Sequence, residues 1–255
     1  MLLEQTLDKL YKMKLYGMHA SVKEKLSRPD HAELSFTDML GLITDDEWLY
    51  RENKHMDKRL SNAKFKEKRA CLEDVDYDQK NRTIKKSQIL ELGQNRWITQ
   101  QQNVIITGAS GSGKSFLAQA LGYNACRNGF AVHYIRTSKL LFNLLKSRAD
   151  GSFQEYIKKT SKYDVLIIDD FGLGSIDEQA KADFLEIIEE RCGTKATIVT
   201  SQLDIKDWHA YLGGALVADA ILDRLLHNAH KMHLAAKDSL RKTKSTLTHE
   251  GHYEK

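Results

Sequence analysis

Eight consecutive residues, Gly108-Ala109-Ser110-Gly111-Ser112-Gly113-Lys114-Ser115, fit the spacing G-x-x-x-x-G-K-[ST]. The chemistry of that pattern is phosphate binding. Glycines let successive backbone N–H groups wrap phosphate oxygens, and a helix opening at the lysine adds partial positive charge. Lys114 is expected to contact the β and γ phosphates of ATP and Ser115 to ligate Mg²⁺, with Phe116 completing the nucleotide-binding set. A second signal is "VLIIDDFG", residues 165 to 172, in which four aliphatic residues run into two acids. In a parallel α/β sheet such a strand end faces the ligand. Asp169 is expected to hold the metal through water and Asp170 to orient or deprotonate the attacking water. In "TIVTSQ" the next strand ends on Thr200, Ser201 and Gln202, polar groups placed to sense the γ-phosphate or position water.

Phosphoryl transfer gains roughly 10³ to 10⁵ in rate from an arginine at the γ-phosphate, and none lies near the glycine-rich stretch in sequence. Arg224 in "ADAILDRLLHNAH", offered to a neighbouring subunit, and Arg241 in "SLRK", offered within the same subunit, are the candidates. The first of these stretches reads as a helix. On it, His227, His230 and His233 do not close a metal site, because the outer two diverge by about 120° on a 3.6-residue helix.

These residues need elements to hold them. From Gln102 onward "NVIIT", "AVHYIRT", "DVLIID" and "KATIVTS" read as strands, alternating with helices such as "SFLAQALGYNACRNG" and "EQAKADFLEIIEERCG". That alternation predicts βαβ units and a parallel sheet flanked by helices. The first 75 residues are helical instead. Leu3, Leu7, Leu10, Leu15, Met18, Val22 and Leu26 form one stripe, predicting a helix that ends near Pro29. "SFTDMLGLI" predicts a short helix, and "TDDEW" a capping box with Thr44 as N-cap and Glu47 reaching back, opening a long helix from about Asp45 to Arg69. The expected organisation is a helical domain over 1–75, a linker over 76–95, an ATPase domain over 96–245 and a tail over 246–255.

The 255 residues carry a formal net charge of +4, but the charge is local: residues 51 to 69 hold eight Lys/Arg against three Asp/Glu. Arg51, Lys54, Lys58, Arg59, Lys66 and Arg69 are the candidate contacts to nucleic acid, made to phosphates and largely independent of sequence. No apolar run approaches the roughly 20 residues of a membrane span, and the amphipathic N-terminus is not a signal peptide, so a cytoplasmic location is expected. Cys71, Cys126 and Cys192 lie far apart, suggesting neither disulfides nor zinc.

The stretches "LDKLYKMKLYGM", "RENKHMDKRL", "NVIITGASGSGKSFLAQALG", "VLIIDDFG" and "DAILDRLLHNAH" together resemble the IstB-like helper ATPases of bacterial insertion sequences, AAA+ proteins related to the DnaC helicase loader. The resemblance implies an AAA+ P-loop core behind a small all-helical N-terminal domain. It implies an ATPase, stimulated by DNA, that assembles as a homo-oligomer through shared ATP sites, remodels duplex DNA and assists a partner transposase in DNA transposition. By position, Arg224 resembles the trans-acting arginine finger, Arg241 the sensor II arginine and Gln202 the sensor I residue. Two positions depart from the pattern: Asp170 stands where AAA+ proteins commonly have glutamate, and Gln202 where the loaders have asparagine. Two other readings are a DnaC-like replicative helicase loader, which a pulldown of helicase without transposase would favour, and a P-loop small-molecule kinase, which phosphate transfer to a small acceptor would favour.

Overall fold

The computed structural model describes residues 2–27, 35–67, 70–75, 85–214 and 216–235. Five segments form one parallel sheet: β1 (Asn103–Gly108), β2 (Val132–Arg136), β3 (Val165–Phe171), β4 (Ala196–Ser201) and β5 (Ala229–Leu234). Their order is β2-β3-β4-β1-β5. The helices are α1 (Leu2–Lys12), α2 (Tyr16–Leu26), α3 (Phe36–Ala63), α4 (Lys86–Gly93), α5 (Arg96–Thr99), α6 (Lys114–Arg127), α7 (Thr137–Ala149), α8 (Phe153–Ser161), α9 (Glu178–Arg191), α10 (Trp208–Tyr211) and α11 (Leu216–Leu226).

The central strands are apolar throughout because both sheet faces are covered. Val104, Ile106, Ile167 and Ile198 pack on one face with Leu117, Ala118 and Leu121 of α6. Ile105, Leu166, Ile168 and Val199 point the other way, against Leu140 and Leu144 of α7, Phe184 and Ile187 of α9, and Ile221 and Leu225 of α11. The register then brings strand ends into line, pairing Thr107 with Ser201 and Arg136 with Asp169. The glycine-rich stretch, the two acids and the polar end of β4 therefore share the carboxyl edge of the sheet, where open α/β sheets bind ligands.

The helical reading of residues 227–233 is corrected. α11 stops at Leu226, and His230 and His233 lie on β5, which pairs with β1 along its whole length. His230 Nε2 sits 2.8 Å from Gln102 Oε1 and His233 Nδ1 3.1 Å from Thr107 Oγ1. β5, an edge strand holding His230, Lys231 and His233, lacks the run of aliphatic and β-branched residues that marks the inner strands.

The chain divides into two compact units, Met1–Lys58 and Arg59–Lys255, so the division falls inside α3 and the expected boundary at 75 lies within the second unit. Residues 59 to 75 belong to that unit for physical reasons. Ala63 and Val75 are part of the core, and Arg59 Nε donates to Cys126 O at 2.9 Å. The backbone N–H groups of Lys66 and Glu67 both donate to Gln119 Oε1.

Within the first unit, the single stripe over residues 2 to 26 is two helices, broken at Lys14, whose φ is 60°. The expected cap at Thr44 is also corrected. Thr44 lies inside α3, where its Oγ1 donates back to Leu40 O at 2.8 Å, the alternative that helical threonines take when no cap is needed. The cap is one turn-pair earlier: Ser35 Oγ accepts from Asp38 N at 3.1 Å and donates to Asp38 Oδ2 at 2.6 Å. Glu47, freed from capping, is buried and accepts from Met18 N and from Arg51 Nε. Gly17 permits that close crossing, since a Cβ would lie 2.6 Å from Glu47 Cα. α3 ends at Ala63 rather than Arg69, with Lys64 in the left-handed region.

Candidate functional site

Gly108 ends β1 with φ 142°, and a Cβ there would collide with Leu234 O on β5, so only glycine fits. The loop turns through positive φ at Gly111 (79°) and Gly113 (94°), the latter opening α6. Its walls are Ala109 and Ser110, both exposed, and Ser112, which is buried. The Ser112 hydroxyl has no hydrogen-bond partner among the described residues. A buried polar atom without a partner inside a loop of aligned N–H groups is what a polyanion-binding cradle presents. Lys114 Nζ donates to Ala109 O at 2.7 Å, folded onto the loop. Phe116 is half-buried against the core below.

Asp169 is 2% exposed, and hydroxyls surround its carboxylate. Ser115 Oγ, on the first turn of α6, donates to Oδ1 at 2.8 Å, and Thr200 Oγ1, on β4, donates to the same oxygen. Tyr134, on β2, donates its phenol proton to Oδ2 at 2.6 Å. Thr137 Oγ1 at the start of α7 donates to the backbone carbonyl of Asp169 at 3.0 Å. Burial first, and then the adjacent Asp169 carboxylate, push the Tyr134 phenol well above its ordinary pKa, so it stays a donor. Hard oxygen ligands from Ser115 and Asp169 beside a phosphate cradle suit Mg²⁺.

Asp170 has φ 61° and sits at the irregularity between Ile168 and Phe171, where β3 slips against β4. Its N–H donates to Thr200 Oγ1 at 3.1 Å. Arg136, at the end of β2, places Nε 4.0 Å from Asp170 Oδ2. A hydrogen bond to Tyr134 is the main reason the Arg136 guanidinium holds its proton more firmly than usual, with Asp170 and Asp169 adding to it. Strand reasoning missed Tyr134 and Arg136. The available signal was "VHYIR": two polar groups at alternate positions, ending the strand that neighbours the acidic one.

At the end of β4 the contact to the acids comes from Thr200. Ser201 Oγ donates to Phe171 O at 2.7 Å and accepts from Leu203 N, whereas Gln202 is exposed beyond the strand. Arg224 lies elsewhere. Asn103 Nδ2, at the amino end of β1, donates to Arg224 O and Leu225 O, which places Arg224 at the opposite edge of the sheet from Gly108. Five residue steps along β1 separate those edges by about 16 Å. Arg224 lines a cavity of about 280 Å³ with Gln101, Arg191, Cys192 and His227. Its guanidinium donates to Ala220 O at 2.9 Å and pairs with Glu189 of α9. Arg241 lies outside the described residues, as does Arg69.

The candidate basic residues on α3 and just after it have different occupations. Arg51 is paired with Glu47 at 2.6 Å, and Lys54 Nζ sits over the rings of Tyr16 and Tyr50. Lys58 and Lys66 are exposed, while Arg59 is half-buried on Cys126 O. No helix among the described residues is long and apolar enough to cross a membrane.

A family model described as IstB-like ATP binding protein matches residues 8–248. The chain is 42% identical over 242 residues to an insertion-sequence ATP-binding protein of Sinorhizobium fredii, covering 95% of this chain and 98% of that one. It is 40% identical over 203 residues to another from Pseudomonas fluorescens, covering 80% and 87%. Among solved structures it is similar to the DnaC helicase loader, with a TM-score of 0.54 at 18% identity, covering 65% of this chain and 96% of that one. That likeness is one of fold: an AAA+ P-loop core.

Proposed function

The chain belongs to the IstB-like ATP-binding proteins, and from that membership we propose that it hydrolyses ATP to govern its own assembly on duplex DNA. In this reading it remodels target DNA and assists the transposase of an insertion sequence. The observation that carries the reading is the Ser115 to Asp169 hydrogen bond at the mouth of the glycine loop, with Arg224 at the far end of the same strands.

Each residue then has a task. The backbone of Gly108 to Gly113 binds the phosphates, and Lys114 exchanges Ala109 O for a phosphate oxygen. Ser115 and Asp169 hold Mg²⁺, which when bound neutralises charge developing on the transferred phosphoryl group. Asp170 accepts the proton of the attacking water. Arg224 cannot span about 16 Å to its own loop, so its charge serves the γ-phosphate of a neighbouring subunit, while Gln202 and Arg241 act on the γ-phosphate bound in their own subunit. Assembly and hydrolysis are thereby one event, because the site is complete only between subunits.

The helical N-terminal part and the basic side chains on and just after α3 are the DNA-facing candidates. Lys54, Lys58 and Lys66 are better placed for phosphates than Arg51 and Arg59, whose guanidiniums already have protein partners. Contacts of this kind are sequence-tolerant and weaken steeply with salt.

The test compares the wild type with Lys114→Ala in sedimentation and DNA-binding anisotropy, with and without ATP and Mg²⁺. The wild type is expected to enlarge and to bind duplex DNA only with nucleotide, and the variant to do neither. Nucleotide-dependent assembly that survives Lys114→Ala would overturn the reading.

A further inference from the structure

We propose that Tyr134 is a positioning residue that sets the affinity of the nucleotide site for its divalent cation, by fixing the Asp169 carboxylate from the neighbouring strand. The inference rests on the reading of Asp169 and Ser115 as the Mg²⁺-holding pair.

β3 lies between β2 and β4, and each neighbour contributes one hydroxyl to the carboxylate at its end. Tyr134 of β2 holds Oδ2 at 2.6 Å, and Thr200 of β4 holds Oδ1. The third hydroxyl, from Ser115, is a different kind of partner. As a cation ligand it would use a lone pair while its proton still goes to Asp169, so its own position depends on the cation it holds. Among the described residues, the hydroxyls that hold the carboxylate without themselves being proposed cation ligands are those of Tyr134 and Thr200. A phenol has one proton to donate, and Tyr134 donates it to Asp169 Oδ2.

The ring of Tyr134 is part of the core beneath the sheet, alongside Val132 and Ile167. Tyr134→Phe therefore keeps the packing and removes only the hydroxyl. Hydrogen bonds that orient a metal ligand typically govern 10- to 100-fold of metal affinity. Oδ2 of an untethered aspartate can rotate away from the cation-facing pose, and part of the binding free energy is then spent restoring it.

The test is fluorescence titration of a non-hydrolysable fluorescent ATP analogue, in EDTA and across a Mg²⁺ series, with the full chain. For Tyr134→Phe the half-saturating Mg²⁺ concentration is expected to rise about 10-fold, while affinity in EDTA stays within about twofold of wild type. Thr200→Val, which removes the other clamping hydroxyl at nearly constant shape, is expected to behave the same way and serves if Tyr134→Phe folds poorly. An unchanged Mg²⁺ requirement, or an equal loss of affinity in EDTA and in Mg²⁺, would overturn the proposal. Asp169→Asn separates the two levels. If it removes the Mg²⁺ dependence while Tyr134→Phe leaves it intact, the positioning role alone is wrong. If wild-type binding shows no Mg²⁺ dependence at all, the metal reading of Asp169 is wrong.

Discussion

Replacing Glu189 with glutamine removes the charge that holds Arg224 against its own subunit. The two side chains pair at the amino edge of the sheet, with 30% of the Arg224 side chain and 47% of the Glu189 side chain exposed. In the proposed assembly Arg224 must leave this partner to serve a neighbour's γ-phosphate, so there the pair would oppose assembly by whatever it contributes. At this exposure it contributes about 0.2 to 1 kcal/mol, equivalent to a factor of roughly 1.4 to 5 in an equilibrium constant. ATP turnover measured against protein concentration should rise at a concentration lower by that factor in Glu189→Gln. The difference should shrink at high salt, which already weakens the exposed pair in the wild type. Arg224→Ala should show no concentration-dependent turnover, and adding Glu189→Gln to it should change nothing. A midpoint that moves to higher concentration would mean that Glu189 presents Arg224 rather than restrains it. A shift that persists in the Arg224→Ala background would show that the effect does not run through this pair.

Two further outcomes follow from the site and the core. Asp170→Asn keeps the size and the backbone conformation while removing the base, so nucleotide-dependent assembly should persist and phosphate release should fall at least 100-fold; turnover at the wild-type rate would refute the assigned role. Arg191 is buried with its guanidinium donating to Thr160 O, Tyr163 O, Ala196 O and Thr197 Oγ1, and burial pushes its pKa down to about 9. Arg191→Leu strands those acceptors and is expected to cost about 3 kcal/mol in denaturant unfolding, and a loss below about 0.5 kcal/mol would show that the acceptors find other partners.

What could be read from the sequence divides along a physical line. β1 to β4 and the glycine loop were legible because their signals are local: runs of aliphatic and β-branched residues, and a spacing that only one backbone shape satisfies. β5 was not, because an edge strand with His230, Lys231 and His233 shows no such run, and its existence depends on pairing with β1, more than 120 residues away. The N-terminal cap was misplaced for a related reason. "SFTD" and "TDDE" carry the same local pattern, and the burial of Glu47 under Gly17 and Met18 decides between them. Tyr134 and Thr200 were illegible as a pair, since only the order β2-β3-β4 brings them to opposite sides of Asp169.

The aspartate at position 170 stands where the resemblance to AAA+ proteins implies glutamate, and the local backbone suits the shorter acid. Its φ of 61° lies in the left-handed region, which short polar side chains tolerate better than longer ones. That conformation is held from several sides. Thr200 accepts from the Asp170 N–H, Leu173 N donates back to Asp170 O at 3.4 Å, and Gly172 continues with φ 86°. Between them Phe171 is fully buried against Phe184, Trp208 and Tyr211, which anchors the slipped end of β3. The irregularity lifts residue 170 out of the line of the strand, so the position of its carboxylate is set by the backbone more than by side-chain length. A glutamate here would add reach at a position where the chain has already supplied it, and would do so in a conformation that suits it less. The short acid and the bent strand end are one arrangement, and they answer to the same hydroxyl, Thr200, that also holds Asp169.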